Sequence, residues 1–179
     1  MSIVLVGSTS GSITLQEPAV AGTTVLTLPA VTGNVLTDTS PKAGNVIQVV
    51  SVANKQATTT TGTSYIASTL AASITPASSS SKILVIGHTY VRTSAVGLTT
   101  VCTIYRGATD LTSGSFGLSI AYGGSTGLEI SIPFSYLDSP STTSSTTYTI
   151  YFKRADSAGT AGCGSANTDS VITLMEIAA

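Results

Sequence analysis

The sequence predicts an all-β chain: an antiparallel β-sandwich, jelly-roll-like, preceded by an extended β segment at the N-terminus. Three observations carry this expectation. Short runs of alternating apolar and polar residues recur along the chain, and β-branched residues dominate them, which suits a pleated surface. Clusters of Ser, Thr, Gly and Pro separate the runs. Charged residues fill only 8% of the 179 positions, against about 25% in an ordinary soluble domain. Long helices with solvated outer faces are therefore not expected.

The N-terminal stretch differs from the rest. Pro18-Ala19-Val20-Ala21-Gly22 recurs as Pro29-Ala30-Val31-Thr32-Gly33, and each copy leads into a Val-Leu-Thr, at Val25–Thr27 and Val35–Thr37. Each unit reads as a short strand closed by a turn. A segment of this length holds too little apolar surface for its own core, since chains below about 40 residues rarely fold unaided. Its apolar residues Ile13, Leu15, Val25, Leu26, Leu28, Val35 and Leu36 must then pack against the sandwich, sister copies or a larger partner. A polar hinge over 37–44 separates this stretch from the C-terminal part of the chain, so the expected domains are 1–44 and 45–179.

The strands come in chain order. Val46–Val52 alternates. Ile66, Leu70 and Ile74 fall at helical spacing, but their Thr and Ser neighbours are poor helix formers, so a strand is expected there. Lys82–Thr93 is apolar on both faces over its first half and should be a central strand. Val101–Arg106 and Leu118–Tyr122 alternate again. Leu128, Ile130, Ile132, Phe134 and Tyr136 share one face of a half-buried strand, and Pro133 marks that strand as an edge or a bulge. Thr147–Arg154 aligns Tyr148, Ile150 and Phe152, and Val171–Ile177 closes the series. Turn clusters lie at 77–81, 113–117, 123–127, 139–145 and 156–167. About eight strands in roughly 130 residues suffice to enclose one core.

Composition excludes several functions. Seven Lys and Arg cannot neutralise a phosphate backbone, so no nucleic-acid partner is expected. One His and two separated Cys do not make a metal site, and no cofactor is implied. Mean hydropathy is +0.41, yet the apolar runs are as short as Ile83–Ile86, whereas a spanning helix needs about 20 residues. No membrane insertion is expected. The N-terminus has no basic residue before its short apolar run, so no signal peptide is expected and synthesis should be cytoplasmic. Cys102 falls on a strand and Cys163 in a Gly-rich loop, and both are expected to be free thiols.

Candidate chemistry is sparse. His88 shares a strand face with Leu84, Ile86 and Tyr90 and reads as a packed or interface histidine. The carboxylates Glu17, Asp38, Asp110, Glu129, Asp138, Asp156, Asp169 and Glu176 are scattered, and no pair stands out as a glycosidase would need. Asp156 and Asp169 read as solvated turn acids. The glycine clusters at 114–117 and 123–127 read as turns, because no Lys-Ser/Thr comes after them to cradle a phosphate. No catalytic residue emerges, and the chain is not expected to be an enzyme. Trp is absent, and strand parity turns most tyrosines inward or to interfaces. Tyr122, beside Gly123-Gly124, is left as the candidate glycan contact, and Lys153-Arg154 reads as a solvated strand end.

Residues 11–37, GSITLQEPAVAGTTVLTLPAVTGNVLT, resemble a segment common near the N-termini of tailed-bacteriophage fibre and virion-surface proteins. The runs ATTTTGTSYIAS, SITPASSSSKILVIGHTYVR, TIYRG and VITLMEIAA resemble the same class. The resemblance implies a homotrimer at the virion surface, assembled in the cytoplasm of a host bacterium, with a C-terminal β-sandwich. It implies a head decoration (cement) or head-fibre protein rather than a long fibre, because the chain has almost no shaft. The N-terminal segment would dock on a major capsid protein or another virion protein. The alternatives are a short tail fibre that recognises a host surface glycan, and a lectin-like module. Few charges on the strands agree with this, since soluble monomers blunt their sheet edges with charge.

Overall fold

A computed structural model describes residues 3–6, 9–15, 41–112, 114–124, 127–155 and 158–179. The chain divides into two compact units, 1–35 and 36–179. In the first, β1 (Ile3–Val6) and β2 (Ser12–Leu15) pair antiparallel, with Leu5 opposite Ile13 and Ile3 opposite Leu15.

The second unit carries β3 (Val46–Asn54), β4 (Thr58–Thr60), β5 (Ile66–Ile74), β6 (Lys82–Thr93), β7 (Leu98–Arg106), β8 (Thr109–Asp110) and β9 (Ser119–Gly123). β10 (Leu128–Asp138), β11 (Thr146–Arg154), β12 (Ala161–Cys163) and β13 (Ser170–Ile177) complete it. The described residues contain no helix. Eight strands are principal, and all pairings are antiparallel. One sheet runs β3-β13-β6-β10 and the other β5-β11-β7-β9. The short β12 and β4 prolong β13 and β3 along the first sheet, and β8 sits beside β7 beyond β9. Counted along the chain, the principal strands pair first with eighth, second with seventh, third with sixth and fourth with fifth. That is the double Greek key of a jelly roll.

Inward positions obey the alternation of the sequence. Leu70, Ala72 and Ile74 of β5 meet Ile83, Val85 and Val91 of β6 in one core, with Ile132 and Phe134 of β10, Tyr148, Ile150 and Phe152 of β11, and Ile172 and Leu174 of β13. Each large side chain buried this way contributes about 1.5–3 kcal/mol. β6 is central, as its two apolar faces predict. β10 pairs along its whole length with β6 and, among the described residues, with no other strand. Pro133 therefore costs no ladder bond on its open side.

Gly87 interrupts the inward series of β6 for a packing reason. A Cβ there would lie 2.0 Å from the Val171 carbonyl oxygen and 2.8 Å from Phe134 Cζ. The missing side chain is the space that the Phe134 ring fills. Turn expectations need one correction. Ala161–Cys163 lies within the glycine-rich stretch expected to be a loop, yet it is strand β12, fully buried between β4 and β6. Small residues carry no alternation signal, so the strand was silent in the sequence.

One end of the core is closed by a polar row. Across the first sheet, Gln48, Glu176, Ile83 and Asp138 stand side by side. Glu176 is wholly buried; it accepts bonds from Gln48 Nε2 at 2.6 Å and the Ala77 amide at 2.8 Å. Burial pushes its carboxyl up, but the bonds from Gln48 and from the Ala77 and Ser78 amides outweigh this and hold it below the ordinary value. Asp138 crosses to the other sheet: Arg106 Nη1 donates to both its oxygens at 2.8–2.9 Å, and the Tyr148 hydroxyl donates at 2.7 Å. Burial, then the Asp138 carboxylate, pushes the Tyr148 hydroxyl well above its usual range.

Three outcomes are expected. Gly87→Ala should destabilise by about 1–3 kcal/mol or more, read as a lower denaturant midpoint. Asp138→Ala strands Arg106 and Tyr148 and should cost about 3–5 kcal/mol. Because the Glu176 carboxyl is depressed in the folded chain, its contribution is complete above the unfolded value of about 4.5. It is lost as pH falls through the lower folded value. Glu176→Gln should flatten the fall in Tm below that pH.

Candidate functional site

The two sheets differ in how their outer faces are finished. On the second sheet, Val101 and Thr103 of β7 point away from the core yet are 0% and 1% exposed. The chain covers them itself. The segment after β7 folds back, with Thr103 Oγ1 bonded to Asp110 Oδ1 at 2.7 Å and to Thr112 Oγ1 at 2.8 Å. Beside it Tyr105 stacks on Tyr151 with ring centroids 3.9 Å apart, Tyr65 meets Tyr105 edge-on, and Lys153 Nζ lies 4.5 Å from the Tyr65 ring centre.

On the first sheet the outward positions are exposed on β3 and β10 and partly buried on β13 and β6. Three rows cross four strands: Val49–Met175–Leu84–Leu137, Ser51–Thr173–Ile86–Ser135, and Ala53–Val171–His88–Pro133. These rows contain no Lys, Arg, Asp or Glu. Val49 and Leu137, at the two edges, are 55% and 52% exposed. From strand and residue spacings the three rows cover roughly 400 Å². Eight of the twelve residues in these rows are apolar, and exposed apolar patches are often functional.

Beyond these rows the same face turns polar. Tyr90, Arg92, Glu129, Ser165 and Asn167 line a depression of about 270 Å³ floored by Gly162 and Gly164. The Tyr90 hydroxyl donates to Glu129, and that bond raises the hydroxyl above its usual value. Gly164 has φ +79°, and a Cβ there would lie 2.0 Å from the Gln56 carbonyl oxygen. The floor therefore needs glycine.

The expected site residues occupy different settings. Ile13 and Leu15 lie on β2 in the first unit. Val25, Leu26, Leu28, Val35 and Leu36 lie outside the described residues. Tyr122 on β9 is 58% exposed. His88 sits on the uncharged face with its Nε2 3.2 Å from the Asp169 carbonyl oxygen. Asp169 pairs with Lys55 at 3.7 Å, and Asp156 lies outside the described residues. Among the described residues no group of three His, Cys, Asp or Glu could hold a metal.

Two readings are corrected, on Lys153-Arg154 and on the carboxylates. Lys153-Arg154 is not a solvated strand end: Lys153 lies over Tyr65, and Arg154 is half-buried with its Nε enclosed. Of the tyrosines expected inward or at interfaces, Tyr148 is completely buried in the core and Tyr136 packs against it, while Tyr65, Tyr105 and Tyr151 meet on the second sheet's outer side. The carboxylates are not all scattered, since Asp138 and Glu176 share one row. Both are occluded and spent on internal hydrogen bonds. The uncharged face was missed as a unit, although each of its residues was legible by parity. Finding it needed the strand order.

Comparison with known proteins adds a likeness of shape. No family model and no curated protein matches the chain. Among solved structures, that of the infectious bursal disease virus Gt strain is similar at 17% identity and a TM-score of 0.45, over 98% of this chain and 46% of that one. The VP2 subviral particle of the same virus is similar at 16% identity and a TM-score of 0.44, over 73% and 32%. The Gx strain gives 18% and 0.45, over 94% and 38%. This chain spans less than half the length of each. The jelly-roll assignment rests on the strand order itself.

The enclosed Tyr65 hydroxyl has no hydrogen-bond partner among the described residues. Burial, then Asp110, raises it to about 12. Tyr65→Phe removes an unpaired polar group and should leave stability unchanged or raise it by up to about 1 kcal/mol, measured by thermal unfolding.

Proposed function

We propose that this chain is a non-catalytic structural protein of a tailed-bacteriophage particle, a trimeric capsid decoration (cement) or head-fibre protein. Its N-terminal segment docks on a major capsid protein or another virion protein, and its jelly roll projects at the virion surface. The observation that carries this reading is the uncharged outer face of the β3-β13-β6-β10 sheet. A sandwich that buries part of one outer face under its own chain and leaves uncharged, largely apolar rows on the other is built to be covered by a neighbour. A patch of roughly 400 Å² is about half of what one partner contributes to a standard interface. It would form the centre of a subunit contact, with the hydroxyl row Ser51–Thr173–Ser135 crossing it between two apolar rows. The resemblance of residues 11–37 to virion-surface proteins supports the particle, and assembly in a bacterial cytoplasm accords with it.

Native mass spectrometry of the full chain tests the oligomer. A trimer is expected. Leu84→Glu with Met175→Glu should shift it to monomer while the far-ultraviolet circular dichroism keeps its β signature. A wild-type monomer at micromolar concentration would overturn the reading. Deleting residues 1–44 should abolish attachment to particles and leave a folded trimer.

A second reading, a short tail fibre or lectin-like module that binds a host glycan, draws on the polar depression at Tyr90, Arg92, Glu129 and Asn167. Planar polar groups beside an aromatic ring suit sugar hydroxyls. Here the depression competes with Tyr122 as the contact. Glycan-array binding that Arg92→Ala removes and Tyr122→Ala spares would favour the depression, and the reverse would favour Tyr122.

A further inference from the structure

We propose that the depression beside Gly162 holds one uncharged sugar ring, with neighbouring ring hydroxyls donating to Glu129 and accepting from Arg92. The proposal rests on the glycan reading of this depression and names the chemical class of the sugar.

The depression follows from strand register. Glu129 of β10, Arg92 of β6, Gly162 of β12 and Thr59 of β4 form one row across the sheet. In the next row Ser131 stands beside Tyr90, whose carbonyl accepts from the Gly164 amide at 2.8 Å. β12 and its exit thus give a glycine to each row, and the floor drops where side chains would stand. The two glycines differ in kind. Gly164 has a left-handed backbone and no room for a Cβ. A Cβ on Gly162 would meet Arg92 Cβ at 3.5 Å, Arg92 Nε at 3.6 Å and Thr59 Cγ2 at 3.7 Å, all ordinary contacts. The fold therefore accepts alanine at 162, and a glycine within a strand weakens it. What glycine provides there is a bed for the Arg92 side chain.

Opposite charges on directly paired strand residues ordinarily attract. Here they are kept apart. The Tyr90 hydroxyl donates to Glu129 and holds the carboxylate, while Arg92 leans across Gly162. Among the described residues, ion pairs join Lys55 to Asp169 and Arg106 to Asp138, and none joins Arg92 to Glu129. Both side chains are exposed and border the same depression of about 270 Å³. A ligand acid could use only the guanidinium, and an amine only the carboxylate. Adjacent hydroxyls use both, because one donates while the next accepts, and they bring no charge of their own. The Tyr90 ring supplies an apolar border for the C–H edge of a sugar. Sites for drug-sized ligands enclose about 300–1,000 Å³, so this smaller volume suits a single ring.

The test titrates the isotope-labelled full-length chain with the methyl glycosides of glucose, galactose and mannose, and with glucuronic acid and glucosamine, followed by amide chemical shifts. At least one neutral glycoside should bind and shift the amides of Gly162, Gly164 and Asn167. The acid and the amine should bind more weakly. Arg92→Ala and Glu129→Gln should each weaken the neutral sugar by about tenfold or more. Gly162→Val suits a strand but displaces Arg92, so it should weaken binding as much while Tm holds or rises. Equal or tighter binding of the acid or the amine at these amides, neutral binding that Glu129→Gln leaves intact, or shifts centred on Tyr122 would overturn this assignment and leave the glycan reading standing. Binding of no sugar at all would overturn both.

Discussion

The β6 ladder is the contact on which the sandwich depends. This strand of 12 residues pairs with β10 along one side and with β13, then β12, along the other. A strand in that position has no free edge, and each of its side chains faces either the core or the outer surface of the sheet. Its inward set, Ile83, Val85 and Val91, is the floor of the core. Its outward set includes Leu84 and Ile86. The strand that organises the interior therefore also supplies the middle of the uncharged outer face, and the two cannot be tuned independently.

The unlike outer faces result from chain order. β7 is succeeded by a long excursion before β9, and that excursion has length enough to return over its own sheet, where Asp110 and Thr112 bond to the buried Thr103. On the first sheet, the outward residues of β13 and β6 stay partly exposed. Apolar surface left in water costs about 25 cal/mol per Å² relative to burial. Leaving one face bare thus makes sense where a neighbour completes it.

The buried charges show a second constraint. Asp138 and Glu176 flank Ile83 at one end of the core, and each is fully engaged by groups from elsewhere in the fold. Burying such groups yields little net stability, because desolvation offsets the attraction. They do discriminate between arrangements. A one-residue slip of β10 against β6 would turn Asp138 outward and leave Arg106 and Tyr148 without their partner. The polar row therefore fixes register where the apolar residues alone would accept alternatives.

The sequence by itself determined the class of fold, because strand alternation is local: Leu128–Tyr136 and Thr147–Arg154 announce their buried faces at a period of two. It also determined the central place of β6, through residues apolar on both sides, and narrowed β10 to an edge or a bulged strand, through Pro133. Only the tertiary structure decided what pairs across the fold. Thr89 meets Cys163, Asp138 meets Arg106, and Leu84 lies between Met175 and Leu137, because strands distant in the chain become neighbours when two Greek keys close. The strand at Ala161–Cys163 also waited for the fold, since its residues are too small to signal burial. Periodicity specifies which side of a strand is wet, but the order of strands specifies which residues share that side, and that order is set by packing over the whole chain.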